Sequence, residues 1–239
     1  MGYILLEGGA EFGGHMAEPD LRAIELAGGF DALICIIPAA AAPDHNDRRA
    51  GENGLQWFRH LGATNIQVLP LVSNATAHQA DIVEALLRAR LIYMLGGFPG
   101  HLAESLRGTP AWQAAVKAMN DGAVFGGSSA GAMVLCEYLY DPYQNRLLPG
   151  LGLLADSAIL PHHNNFGKDW ALPLHQLIPT SMLIGIDERT GMINDGEKGQ
   201  WRVYGQGAVT LYRDGNTRVF SSGQTFNLDS GSQDRTNPT

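Results

Sequence analysis

The chain has 239 residues, 45% of them apolar and 17% charged, with a formal net charge of -8 at pH 7. The length suits one α/β domain, and the composition excludes a disordered chain. The acidic balance argues against broad binding to nucleic acid or an anionic membrane, both of which select a basic face.

The first half alternates short apolar runs with amphipathic stretches. Strands are expected at Tyr3–Leu6, Ala32–Ile37, Ile66–Leu71, Leu91–Leu95 and Ala123–Phe125. Helices are expected at Glu18–Ala27, Asn46–Leu61, Ala80–Ala89 and Pro110–Asn120, with Gly28 and Gly62 as stop signals. Continuously apolar strands separated by helices imply a doubly wound, mostly parallel sheet with helices on both faces. Such sheets bind ligands at the carboxyl ends of their strands. Gly8-Gly9, Gly96-Gly97 and Gly126-Gly127 are expected to converge there. Beyond about residue 180, strand-like runs at Met182–Ile186, Trp201–Tyr204, Ala208–Tyr212 and Thr217–Phe220 read as antiparallel additions to the same sheet, with Asp214-Gly215 as a hairpin turn. One α/β domain over residues 1–228 and a loose polar tail at 229–239 are expected.

Cys35 and Cys136 lie in apolar stretches and read as buried, reduced thiols. The start of the chain lacks a basic region ahead of its short apolar run, and no run approaches a membrane span, so a cytoplasmic location is expected.

The segment Val124-Phe125-Gly126-Gly127-Ser128-Ser129-Ala130-Gly131-Ala132-Met133 carries the chemistry. A hydrolytic serine must sit on a tight strand-to-helix turn that exposes its hydroxyl, and small residues two positions away on each side permit that turn. Gly127 and Gly131 satisfy this for Ser129. Ser128 is flanked instead by Gly126 and Ala130. No Lys follows the turn, which weakens a phosphate-cradle reading. The hydroxyl needs a base. The apolar run Ala158-Ile159-Leu160 leads into Pro161-His162-His163, which would deliver an imidazole to the same sheet edge. A metal site is not expected, because adjacent strand residues point opposite ways and no further ligand stands at suitable spacing. Glu137, Asp141 and Asp156 are candidates for the acid that orients the base.

These motifs resemble those of the peptidase E and cyanophycinase family of serine peptidases, built on a class I glutamine-amidotransferase-like α/β fold. The resemblance rests on Ser129-Ala130-Gly131-Ala132, on Met94-Leu95-Gly96-Gly97, on Gly150-Leu151-Gly152-Leu153-Leu154 leading to Pro161-His162, and on Gly185-Ile186-Asp187-Glu188-Arg189-Thr190. It implies Ser129 as nucleophile and His162 as base. It implies Glu137 as orienting acid, since Glu137-Tyr138-Leu139-Tyr140-Asp141-Pro142 resembles the family's acid, short strand and turn, with Asp141 in reserve. The N–H groups of Gly97 and Ala130 would form the oxyanion hole. The implied activity is hydrolysis of a small peptide or amide substrate, with no cofactor. A homodimer is left open. Asp187 and Glu188 are expected only to brace the site. Two rival readings are an esterase or amidase using the same triad, and a ligand-binding relative without catalysis. Two departures from the family pattern stand out. Phe98-Pro99-Gly100-His101 follows the Gly-Gly turn where Asn or Asp with Gln or Thr is usual. The stretch Asn164-Asn165-Phe166-Gly167-Lys168-Asp169-Trp170 lacks the arginines that would hold acidic substrate groups.

Overall fold

A computed structural model describes residues 2–228; the expected tail lies outside the described residues. The apolar runs of the first half become parallel strands β1 (Ile4–Glu7), β2 (Ile34–Ile37), β3 (Ile66–Val68), β4 (Leu91–Met94) and β5 (Val124–Ser128). Between and after them lie α1 (Ala17–Leu26), α2 (Asp47–His60), α3 (Ala80–Arg88), α4 (Pro99–Leu106), α5 (Pro110–Asn120) and the single turn α6 (Ala130–Met133). Helix α4 falls on the Phe98-Pro99-Gly100-His101 segment. Pro99 occupies its first position, where the missing N–H costs nothing and the fixed φ suits a helix.

Side chains alternate across the sheet with the period of two that strands impose. Leu5, Ile34, Ile36, Leu91, Tyr93 and Val124 face the cluster containing Ile24 of α1 and Trp57 and Phe58 of α2. Leu6, Cys35, Ile37, Ile92, Met94 and Phe125 face the cluster containing residues of α3, α4, α5 and α6. Both faces are covered, as a parallel sheet requires. Cys35 and Cys136 are buried free thiols, each pushed up to about 12 by burial.

The second half contains β6 (Tyr138–Asp141), β7 (Arg146–Pro149), β8 (Ser157–Leu160), α7 (Ala171–Leu177), β9 (Met182–Ile186), β10 (Thr190–Ile193), β11 (Trp201–Gly205), β12 (Ala208–Arg213), β13 (Asn216–Ser221) and β14 (Thr225–Phe226). The expectation of one extended sheet needs correction. Strands β10, β11 and β14 add antiparallel to β1, giving the order β14-β11-β10-β1-β5-β4-β2-β3, whereas β13-β12-β9-β8 form a second sheet. The chain crosses between sheets at two tight corners, Asp187–Arg189 and Gln206–Gly207. At the first, Gly8 lets the end of β1 press on the main chain: a Cβ on it would collide with the carbonyl groups of Ile186 and Asp187. The second sheet turns Ile159, Ile184 and Ile186 toward the same cluster as Leu6 and Met94, and Ala158, Leu160 and Leu183 toward α7.

Candidate active site

Strands β1, β5 and β4 are neighbours in the order, so their carboxyl ends flank one another. Ser129 follows β5 and precedes α6, with φ 49° and ψ -112°. This conformation is strained for a residue with a Cβ, and the surroundings hold it. Ser129 N–H donates to Glu7 O at 3.0 Å. A Cβ on Gly127 would collide with the backbone of Gly131, and one on Gly131 with the Met94 carbonyl. These contacts are the physical content of the small residues around Ser129: they let the turn close on itself and on β4. Ser128 points away from this turn. It is buried, and its hydroxyl donates to Glu11 Oε2 at 2.9 Å.

His162 arrives just past β8, with φ 49° and its N–H donating to Gly8 O at 2.7 Å. Its Nε2 lies 3.1 Å from Ser129 Oγ. The ring is held on two sides. A Cβ on Gly9 would collide with the imidazole, and Phe166 stacks on it with centroids 4.8 Å apart and planes 27° apart. His163, in the turn beyond β8, faces the other way. It is packed over Gly185, its Nε2 is 2.8 Å from the Tyr212 hydroxyl, and its Nδ1 is 3.5 Å from Asp187 Oδ1. Burial pulls the His163 imidazole below its ordinary range.

The third partner is not the expected one. His162 Nδ1 lies 2.8 Å from Glu188 Oε1. Glu188 stands in the corner between β9 and β10, where its own N–H donates to Asn164 Oδ1 and the N–H of Arg189 donates to Gly9 O. The hydrogen bond with His162 holds the Glu188 carboxyl below the usual carboxylate range. The Glu137 carboxylate instead accepts the Asp156 N–H at 2.8 Å, which lowers its pKa. Asp141 is buried and caps the turn of the β6–β7 hairpin by accepting the N–H groups of Tyr143 and Gln144. Asp156 accepts from Ser181 Oγ and pairs with Arg213. Glu188, expected only to brace the site, is the carboxylate placed at His162, and Glu137 is not; Asp187 accepts the Ala208 N–H at 2.9 Å. A readable signal existed. Two doublets, His162-His163 and Asp187-Glu188, follow the parallel neighbours β8 and β9 and meet in pairs, His162 with Glu188 and His163 with Asp187.

Ala130 follows Ser129 in the chain, and Gly97 follows Gly96 in the turn beyond β4. The Gly96-Gly97 turn ends β4 one residue on, and an ideal Cβ on Gly96 would lie 3.4 Å from Ser129 Cβ. Gly97 has φ 136°, and a side chain there would strike the Ala40 carbonyl. Ala130 opens α6, where the first N–H groups have no partner within the helix. Beside this turn opens a cavity of about 300 Å³, walled by Glu11, Asp44, Asn46 and Asn53 and by Phe98 and Tyr143, whose rings stack 4.1 Å apart. Among the described residues, no cluster of three or more His, Cys, Asp or Glu could hold a metal ion.

The profile of peptidase family S51 matches residues 4–201. The chain belongs to that family. It is similar to the cyanophycinases of Synechococcus elongatus and Thermosynechococcus vestitus, each 32% identical over 202 residues, 77% of this chain and 60% of theirs. The chain therefore spans about three fifths of the length of those relatives. A cyanophycinase of Geminocystis herdmanii is 30% identical over 220 residues, 87% of this chain and 79% of that one. The crystal structure of a peptidase from an acI-B1 Actinobacterium superposes with a TM-score of 0.85 at 30% identity, covering 95% of this chain and 96% of that one. The resemblance read from the S-A-G-A elbow and the Gly-Gly turn is thus confirmed at the level of family and fold.

Proposed function

We propose that the chain is a serine peptidase that hydrolyses a small peptide or amide through an acyl-enzyme on Ser129. The observation that carries this is the continuous line from Ser129 Oγ through His162 to Glu188, at 3.1 and 2.8 Å. Ser129 Oγ attacks the carbonyl carbon and its proton passes to His162 Nε2. Glu188 accepts the Nδ1–H, fixes the tautomer and stabilises the imidazolium. The N–H groups of Gly97 and Ala130 hold the oxyanion. The tetrahedral intermediate collapses as His162 protonates the leaving amine. Water then attacks the ester, with His162 as base again, and frees Ser129.

The cavity beside the nucleophile presents the carboxylates of Glu11 and Asp44, and no arginine follows His162 before residue 189. This supports a substrate without an acidic side chain at that position. Among the described residues, no helix is long and apolar enough to cross a membrane.

Comparing Glu188→Gln with Glu137→Gln tests the reading. Glu188→Gln should lower dipeptide turnover by up to about ten-thousandfold, the size of the handicap when a triad acid becomes an amide. Glu137→Gln should stay within about threefold of wild type, its carboxylate being tied to Asp156. Equal losses, or the reverse order, would overturn the assignment. Among dipeptides, neutral or basic ones should outrun aspartyl ones.

A further inference from the structure

We propose that Glu7 and Asp20 share one proton in a buried carboxyl pair beneath the nucleophile, and that this pair is a positioning device for Ser129, His162 and Glu188. Glu7 ends β1 and Asp20 lies in the first turn of α1; both are 0% exposed. Each carboxyl has one donor. The Tyr93 hydroxyl donates to Glu7 Oε2, and Trp57 Nε1–H donates to Asp20 Oδ2 at 2.7 Å. The remaining oxygens, Glu7 Oε1 and Asp20 Oδ1, are buried without a donor. The two carboxyls are neighbours, each acting on the other. Ionised carboxylates only accept, so the two orphaned oxygens can partner each other only through a proton on one of them. A shared proton accounts for both orphaned oxygens at once.

The surroundings favour keeping that proton. The titratable groups facing the pair are Tyr93 from β4 and Glu11 from the loop after β1; α2 presents Trp57, a neutral donor. The charges acting on the pair, from Glu11 and from its own members, are all negative. Burial and this repulsion raise the Glu7 carboxyl well above the usual range, and burial raises Asp20 to about 7.

Three consecutive carbonyls connect the pair to the site. Glu7 O accepts from Ser129, Gly8 O from His162 and Gly9 O from Arg189, the residue after Glu188. Loss of the shared proton would place two negative charges side by side, and among the described residues the charges acting on them are negative. The strain is relieved by moving the end of β1, which carries all three backbone contacts. In the unfolded chain both carboxyls ionise near pH 4. From there up to the raised folded values, the folded chain binds more protons than the unfolded one. This contribution to stability is therefore full below about pH 4 and declines as pH rises through those folded values.

The positioning half of this inference rests on the reading of Ser129 as nucleophile; the proton half does not, so the test has two parts. Infrared spectra of the full chain should contain the carbonyl stretch of a buried neutral carboxylic acid at about pH 7, absent from both Glu7→Gln and Asp20→Asn. The melting temperature of wild type should fall between about pH 5 and pH 9, and at least half of that fall should vanish in each variant, whose amide donates to the partner without titrating. The rate at which a fluorophosphonate labels Ser129, taken at about pH 9 relative to pH 6.5, should be at least about threefold higher in either variant than in wild type. If Glu7→Gln does not fold, Asp20→Asn and the wild-type band decide. Absence of that band, or melting profiles that superimpose on wild type, overturns the shared proton. A band with unchanged labelling profiles overturns the positioning. Labelling of wild type at neither pH overturns the nucleophile and the positioning together.

Discussion

Ser129 is held at φ 49°, where a Cβ is unwelcome, by the Glu7 carbonyl and by the collapse of Gly127 onto Gly131. Strain of that kind costs on the order of 1–3 kcal/mol, and glycine escapes it. Ser129→Gly should therefore raise unfolding free energy in urea by about 1 kcal/mol over Ser129→Ala, with both variants inactive by orders of magnitude. Equal stability of the two would show the elbow to be unstrained. Ser129 was legible because its requirement is local: glycines at fixed offsets and a strand before. His162 was legible for a related reason, being delivered by an apolar strand. Glu188 was not, because it lies 26 residues beyond His162, and only the parallel pairing of β8 with β9 brings it to Nδ1. Glu137 sat at a plausible place along the chain, yet its side chain turns to the Asp156 N–H, a direction that spacing does not fix.

The parallel strands β1 to β5 were readable from apolar runs, since a strand buried on both faces has little polar alternative, whereas β7, β10 and β14 were not among the expected strands. Which sheet each late strand joins was not readable either. Runs such as Met182–Ile186 and Trp201–Gly205 look alike, and the choice is made at the corners, where Gly8 and Gly207 permit main chain and side chains to approach closely. The loop after β1 illustrates what such corners do for the site. Gly9, at φ 108°, leaves room for the His162 ring, which Phe166 closes from elsewhere. Gly9→Ala would strain that φ and push the imidazole off Ser129 Oγ. A displacement of about 1 Å at a catalytic group can cost about a hundredfold. Fluorophosphonate labelling of Gly9→Ala should fall by roughly that factor. Phe166→Leu, which keeps bulk without the stacked plane, should lose less. A Gly9→Ala protein that labels at the wild-type rate would remove this role from the glycine.

At the scale of the molecule, the proposed triad is divided between the two sheets. Ser129 follows β5 of the main sheet, His162 follows β8 of the second, and Glu188 sits in the corner that joins β9 to β10 across them. The site is therefore complete only when the sheets are docked. Docking is not a separate, weaker event, because Ile159, Ile184 and Ile186 of the second sheet belong to the same buried cluster as Leu6, Met94 and Met133. A core shared in this way makes opening of the site and loss of the fold one transition rather than two. Ile184 is the sharpest probe: it is 0% exposed, lies on β9 toward the shared cluster, and touches none of the three candidate catalytic side chains through any hydrogen bond. Ile184→Ala should lower unfolding free energy by about 3 kcal/mol, the middle of the range for deleting a buried aliphatic side chain. In urea, the midpoint for Ser129 labelling and the midpoint for far-ultraviolet circular dichroism should move down together and by the same amount. If labelling is lost well before the dichroism changes, in wild type or in the variant, the second sheet separates on its own and the shared core does not couple the site to the fold.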